Sequence, residues 1–302
     1  METRKIGDMD VPVLCLGTMT FGTPVGEREG IEIVRRALEL GIRFIDTANM
    51  YEGYTRYIGS VGGAAEEILG RALKGSRRDD AVVATKVGMK IGPGAEDEGL
   101  SRDHIQRECD RSLQRLTTDR IDLYYMHKPD PETPLEESIA TFDALIRAGK
   151  VRQWGVSNFD VEETRQVLAV CDREGWPRPV AHQAPFSLLK RDIEQDLLPL
   201  CRAEGIAVVP YQVLQGGLLT GKYLDGVPDG SRGAEKREWL PLLDDEEVRR
   251  ALRAIAAEAD RAGLGLFEHT LRTTLAVPGM ASIILGVKRP DQIDAAVQAL
   301  AS

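Results

Sequence analysis

The chain lacks most of the features that would place it outside the ordinary globular proteins. It holds only 4 cysteines in 302 residues, Cys15, Cys109, Cys171 and Cys201. None forms a CxxC pair or stands at zinc spacing from a histidine, which argues against a disulfide scaffold or a metal module and for reduced, buried thiols. No apolar run approaches the roughly 20 residues of a membrane span. The opening METRKIGDMDVPVL has no apolar stretch of the kind a secretory leader carries. Positive charge is in deficit: 39 Lys+Arg against 48 Asp+Glu leaves a net charge of −9. Such a balance suits neither nucleic acid nor an anionic membrane, and an anionic ligand would need cations gathered locally. Low-complexity runs, linkers and shifts in composition are also missing. The expectation is one cytoplasmic domain over residues 1–302, with no metal site, no nucleic acid and no membrane among its partners.

What is present is alternation. Eight short β-rich runs occur at 13–19, 43–48, 81–88, 121–127, 151–158, 180–186, 206–213 and 282–287. Amphipathic stretches separate them, at 28–40, 102–116, 135–147, 160–171, 191–204 and 290–300. Glycines just past the last apolar residue, Gly41, Gly149, Gly175 and Gly205, read as helix stops. Two further helices, at about 244–262 and 266–276, precede the last run. The pattern predicts an α/β fold, a (β/α)8 TIM barrel with an extra helix between strands seven and eight. An open dinucleotide-binding sheet would carry G-x-G-x-x-G after its first strand, and GTMTFGTPVG does not fit. The longest irregular stretch, 221–243, follows strand seven, on the face where barrels place their sites.

The strand ends are unusually polar. In order they give Asp46, Lys86, His127, Ser157 with Asn158, Gln183 and Tyr211, with Tyr51 in the loop after strand two. Taken singly, Asp46 suits a helix cap, Lys86 a solvated cation and His127 a structural histidine. Taken together, a carboxylate, a phenol, an amine and an imidazole at one barrel mouth are the parts needed to protonate a carbonyl oxygen.

The ordered segments GTMTFG, FIDTANMY, ATKVG, LYYMHKPD, GKVRQWGVSNF, HQAPFSLLKR, GGLLTGKY and ILGVKRPDQI span nearly the whole chain. With them the sequence resembles the aldo-keto reductase superfamily, in the style of its bacterial reductases and potassium-channel β-subunits. The resemblance implies hydride transfer between NADP(H) and a small carbonyl compound. It implies Tyr51 as the acid, Lys86 as the cation that eases its proton loss, Asp46 as the carboxylate fixing Lys86, and His127 as a second donor to the carbonyl oxygen. His127 favours turnover, since the channel subunits resembled carry another residue there.

The same resemblance implies the cofactor contacts. Gly17, Thr18 and Met19, with Asp46, would lie under the nicotinamide end. Ser157, Asn158 and Gln183 would hold its carboxamide, and Tyr211 would stack on its ring. Gln212, Leu214, Gly216 and Leu218 belong to the diphosphate loop, with Gly217 beside them. Lys222 and Arg232 would clasp the phosphates. Gly286, Lys288, Arg289 and Gln292 would take the adenosine phosphate. Two departures stand out. Gln212-Val213-Leu214 replaces the usual Ser-Pro-Leu, and Ala295 and Ala296 replace a Glu-Asn pair that would bind adenine. Loop 52–63, with Tyr54 and Tyr57, and the loop holding Trp239 are candidate covers for the substrate, and Phe21 and Met89 are candidate walls. The implied activity is NADPH-dependent reduction of an aldehyde, ketone or keto sugar. The alternatives are the reverse oxidation and a non-catalytic NADPH-sensing subunit.

Overall fold

The computed structural model describes residues 1–235 and 237–301; the side chains of Ser76, Arg232, Glu235, Trp239 and Pro241 lie outside that description. The expectations for the side chains of Arg232 and Trp239 therefore fall outside the described part.

The chain opens with a hairpin that the sequence reading did not anticipate. Strands β1 (Thr3–Ile6) and β2 (Met9–Pro12) pair antiparallel around Gly7 and Asp8. Their apolar residues Ile6, Met9 and Val11 are buried in one cluster with Cys15, Phe44, Leu123, Tyr125 and Val209 from the barrel interior. The hairpin therefore plugs the barrel at the N-terminal ends of its strands. Arg4 pins it there by donating from Nη1 to the carbonyls of Leu275 (2.8 Å) and Met280 (2.7 Å).

The eight predicted runs all become strands. They are β3 (Leu14–Gly17), β4 (Phe44–Asp46), β5 (Val82–Val87), β6 (Ile121–Met126), β7 (Val151–Ser157), β8 (Ala181–Gln183), β9 (Ala207–Val208) and β10 (Ile283–Gly286). They form one sheet in the order β10-β3-β4-β5-β6-β7-β8-β9, and every ladder is parallel. The ring closes between β9 and β10 through a few backbone hydrogen bonds: Val208 N–H to Gly279 O (3.0 Å), Ala281 N–H to Val208 O (2.8 Å) and Ile284 N–H to Pro210 O (3.0 Å). The TIM-barrel expectation holds.

Helices cover the outside: α1 (Glu27–Glu39), α2 (Ala64–Ala72), α3 (Arg102–Leu116), α4 (Leu135–Arg147), α5 (Val161–Glu174), α6 (Leu197–Ala203), α7 (Arg232–Glu235), α8 (Glu246–Arg261), α9 (Leu266–Ala276) and α10 (Pro290–Ala301). Local chemistry sets several boundaries. In α5, Asp160 accepts from the Glu163 backbone N–H (2.8 Å) and Glu163 accepts from the Asp160 N–H (2.7 Å), a reciprocal cap. The four glycines read as helix stops, Gly41, Gly149, Gly175 and Gly205, have φ of 82°, 73°, 66° and 69°, the left-handed turn that a side chain resists. Helices α8 and α9 both precede β10, so the extra helix lies where expected.

Three details differ from the sequence reading. Helix α2 follows loop 52–63 and was not foreseen. The stretch 191–204 is a short 3-10 turn (Asp192–Glu194) and then α6, broken where Asp196 caps Leu197. The 221–243 segment carries helical turns of its own, and Tyr223, Leu240 and Leu243 bury a small apolar cluster with Leu218.

Strand alternation sorts side chains into an interior and an exterior set. On β8, Ala181 is part of the interior cluster, so His182 faces the helices. His182 is fully buried there, and its Nε2 donates to Phe159 O (3.0 Å). Burial holds its pKa down to about 4. In the unfolded chain the imidazole titrates near 6.5, so between those values the unfolded form carries a proton that the folded form excludes. The stabilising contribution is present above about pH 6.5 and drains away as pH falls toward 4. We expect about 2 kcal/mol of stability to be lost between pH 7 and pH 5 from this group. Urea midpoints across that range should show it, and His182→Gln, which can still donate to Phe159 O, should flatten the slope. Equal slopes in both proteins would remove the assignment.

Candidate active site

Parity also assembles the candidate site. With Phe44, Ala84, Leu123, Ala181 and Val209 in the interior cluster, residues an even number of positions further on share that side: Asp46, Lys86, His127, Gln183 and Tyr211. The register supports this, since Gly17 pairs with Asp46 and with Gly286, and Ser157 pairs with Gln183. Short loops add Tyr51, whose N–H donates to Ala48 O (3.0 Å). Thr18 faces the other way and fastens the ring by donating from Oγ1 to Asp46 O (3.0 Å).

Lys86 lies at the centre and has no exposed surface. Its Nζ donates to Asp46 Oδ1 (2.6 Å), Thr47 O (2.8 Å) and Tyr51 Oη (3.3 Å). Three acceptors use all three donors of an ammonium, and a neutral amine has only two. Burial alone would pull Lys86 down, but the Asp46 carboxylate and then Tyr51 push it above its ordinary value. For Asp46, burial pushes the carboxyl up while Lys86 and the Gln183 amide pull it back. These two tendencies disagree about a shared proton. The three-acceptor geometry decides for the ion pair, and Gln183 Nε2 supports it by donating to Asp46 Oδ2 (2.8 Å).

Because Tyr51 Oη accepts from an ammonium, its own proton is left to point elsewhere. Burial raises the phenol above its ordinary value, with Lys86 pulling it partly back. The net shift is upward, against the expectation that the neighbouring cation would lower it. Desolvation of the phenolate outweighs the single cation. The consequence is a group that stays protonated near neutrality and holds a directed hydrogen. The His127 ring stands at 6.0 Å from the Tyr51 ring, edge-on at 79°. Burial, then the charges of Lys86, Arg56 and Lys128, hold His127 well below its ordinary range, so it is neutral. Its Nδ1 is buried with no protein partner among the described residues. The arrangement offers a phenolic donor and a neutral imidazole to one small polar group in the mouth.

The remaining predicted residues ring this centre. Tyr211 Oη donates to Asn158 Oδ1 (2.7 Å), and Asn158 Nδ2 donates to His127 O (2.9 Å) and Ser157 Oγ (3.1 Å). Asn158 holds φ 63°, a left-handed backbone that an asparagine tolerates. Met19 is partly exposed, whereas Phe21 is fully buried against α1 and is core rather than pocket wall. Met89 is half-buried and Tyr57 is largely exposed.

Beyond Tyr211 the backbone turns left-handed repeatedly, with φ of 60° at Gln212, 45° at Gln215, 66° at Gly216 and 104° at Gly217. Leu214 packs on the core and Leu218 is buried, fixing the turn. The Lys222 Nζ lies 3.0 Å from where a Cβ on Gly217 would sit. A cation over a bare, tightly curled backbone is a cradle suited to phosphate oxygens, and a side chain at 217 would fill it. Across the barrel seam, Gln292 Oε1 accepts from the N–H groups of Lys288 (2.7 Å) and Arg289 (3.3 Å). Lys288 lies 5.4 Å from the Tyr54 ring centre, and Arg289 is paired with Asp291 on the surface. The residues present thus fit a phosphate-bearing dinucleotide. Among the described residues no cluster of potential metal ligands occurs, and no helix is long and apolar enough to cross a membrane.

One supporting layer was missed by the sequence reading. Two fully buried carboxylates, Glu66 on α2 and Glu108 on α3, grip the backs of the active loops. Glu66 accepts from Thr85 Oγ1 (2.5 Å), next to Lys86, and from Arg115 Nε (2.6 Å). Glu108 accepts from Asn49 Nδ2 (3.3 Å), and the Asn49 N–H donates to Lys86 O (3.2 Å). Leaving such a buried carboxylate without its donors costs about 3–5 kcal/mol, so the layer holds strand β5 and the 47–51 turn in fixed relation. The signal available was paired acids, AAEEILG and RECDR, on helix faces that otherwise read as core.

The family model described as Aldo/keto reductase family matches residues 13–302. Among relatives, an uncharacterized oxidoreductase of Bacillus subtilis is 36% identical over 99% of this chain and 91% of its own length. A probable voltage-gated potassium channel subunit beta of Arabidopsis thaliana is 32% identical, with 99% and 91% covered. An L-glyceraldehyde 3-phosphate reductase of Escherichia coli strain K12 is 32% identical, with 99% and 88% covered.

Proposed function

Since the chain belongs to the aldo/keto reductase family, whose members generally use NAD(P)H, we propose that it reduces an aldehyde or ketone with NADPH and that Tyr51 delivers the proton. The observation that carries this reading is the contact between Lys86 Nζ and Tyr51 Oη, 3.3 Å, which commits the phenolic oxygen to the ammonium and frees its hydrogen. A reduced nicotinamide supplies the hydride when bound. This chain's residues do the rest. Tyr51 and His127 would direct their hydrogens at the carbonyl oxygen, where negative charge develops. As the phenol gives up its proton, the buried ammonium of Lys86 steadies the phenolate, and Asp46 keeps that ammonium charged and in place. Tyr211, Ser157 and Asn158 would hold the nicotinamide end, Lys222 with Gly216 and Gly217 the diphosphate, and Lys288 with Arg289 a ribose 2′-phosphate. The same groups serve alcohol oxidation by microscopic reversibility, so cofactor ratios set the direction.

Steady consumption of NADPH with a panel of aldehydes, abolished in Tyr51→Phe, tests the proposal. The potassium-channel subunits among the relatives favour a second reading, a redox-sensing binding subunit. NADPH binding with turnover no greater than that of Tyr51→Phe would select it. For the cofactor, Lys288→Ala with Arg289→Ala should weaken NADPH by about tenfold to a hundredfold, the worth of one or two charge-assisted contacts. NADH should change far less. Fluorescence titrations with both dinucleotides decide this, and equal losses would discard the 2′-phosphate assignment.

A further inference from the structure

Among the described residues, many cations of this acidic chain are matched by carboxylates. Arg115 pairs with Glu66, Arg178 with Asp172, Arg191 with Glu194 and Lys128 with Glu98. Arg56 is different. Its Nε donates to Met50 O (3.1 Å) and its Nη2 to Lys90 O, and no carboxylate meets it among the described residues. Backbone carbonyls orient a guanidinium without cancelling its charge. Of its five N–H donors, three are left over.

The place of this cation matters. Met50 immediately precedes Tyr51, and Lys90 lies four residues past Lys86. The guanidinium therefore bridges the loop that carries Tyr51 and the loop that follows β5, the strand of Lys86, and it is only partly exposed. Lys90 adds a second cation whose one described partner is a neutral carbonyl, Gly94 O. The charge is felt at the centre: Arg56, like Lys86 and Lys128, disfavours a proton on His127.

We propose that the carbonyl substrate carries an anionic group, a carboxylate or phosphate, and that Arg56, assisted by Lys90, receives it at the rim of the mouth. The proposal rests on the reductase reading above. Arg56 would act as a specificity-determining residue. Planar donors held in advance by carbonyl dipoles match paired anionic oxygens without reordering.

Two matched pairs of aldehydes test it, with 4-carboxybenzaldehyde against its neutral carboxamide and glyceraldehyde 3-phosphate against glyceraldehyde. The wild-type protein should favour the charged member of at least one pair by about tenfold or more in kcat/KM, as expected for one charge-assisted contact. Which pair shows it tells carboxylate from phosphate. Arg56→Met should collapse that ratio toward one by raising KM for the charged member. Arg56→Lys should restore part of it, and added salt should lower it in the wild-type protein. A wild-type ratio near one in both pairs would overturn the proposal. So would an Arg56→Met variant that loses both members equally, since the arginine would then be only a stitch between loops. Tyr51-dependent turnover of the neutral members keeps the reductase reading standing in either case. Absence of turnover for every member ends that reading and this proposal with it.

Discussion

Tyr51→Phe should lower kcat by about a hundredfold to ten-thousandfold, the usual worth of a positioned general acid. The substitution removes one oxygen and leaves a ring of the same shape. Lys86 would still satisfy Asp46 Oδ1 and Thr47 O, so the protein should fold and bind NADPH with little change. The measurement is kcat at saturating NADPH beside a binding titration. Parallel losses of turnover and of NADPH affinity would mean that Tyr51 supports the cofactor site rather than the proton. Because burial raises the phenol above its ordinary value, the donor is protonated throughout the neutral range. Reduction in the wild-type protein should therefore show no loss through deprotonation of this group below its ordinary value of about 10.

Lys86→Met should do two kinds of damage. Asp46 would be left ionised or forced to take a proton at a site with 2% exposure, and removing one partner of a buried pair costs about 3–5 kcal/mol. Turnover should also fall to the level of Tyr51→Phe, because the phenolate would lose its steadying charge. Pairing Lys86→Met with Asp46→Asn separates the two effects. Stability should return in large part, since no buried charge remains and Gln183 can still meet an amide. Activity should stay low. Thermal midpoints and kcat on the two variants check this, and recovery of turnover in the double variant would remove Lys86 from the chemistry.

The barrel and the ring of polar strand ends were legible because both depend on short-range rules. Alternation of side chains fixes which residues face inward, and six of the eight runs carry Asp46, Lys86, His127, Ser157, Gln183 or Tyr211 at or near their ends. The hairpin was missed although Gly7-Asp8 between two short alternating runs was there to read. Four-residue strands carry little pattern, and burial of Ile6, Met9 and Val11 becomes evident only against the barrel. Helix α2 was obscured by the two glycines before it. The acids Glu66 and Glu108 were not singled out, because their partners Thr85, Asn49 and Arg115 come from other elements. Arg56 was illegible for the same reason: which acceptors a loop arginine finds depends on the folding of two loops at once. Phe21 was misplaced because a residue just past a strand end can turn either into the mouth or back under a helix.

The weakest joint of the ring lies between β9 and β10, where isolated hydrogen bonds take the place of a continuous ladder. The Tyr211–Lys222 segment leaves one side of that joint and the Gly286–Gln292 segment leaves the other. A long ligand lying from one to the other would act as a clasp, fastening the cylinder at the place where it most easily gapes. Loading and unloading of the dinucleotide would then be coupled to breathing of the wall itself, and amide exchange at Ala281 and Ile284 would slow when the clasp is shut.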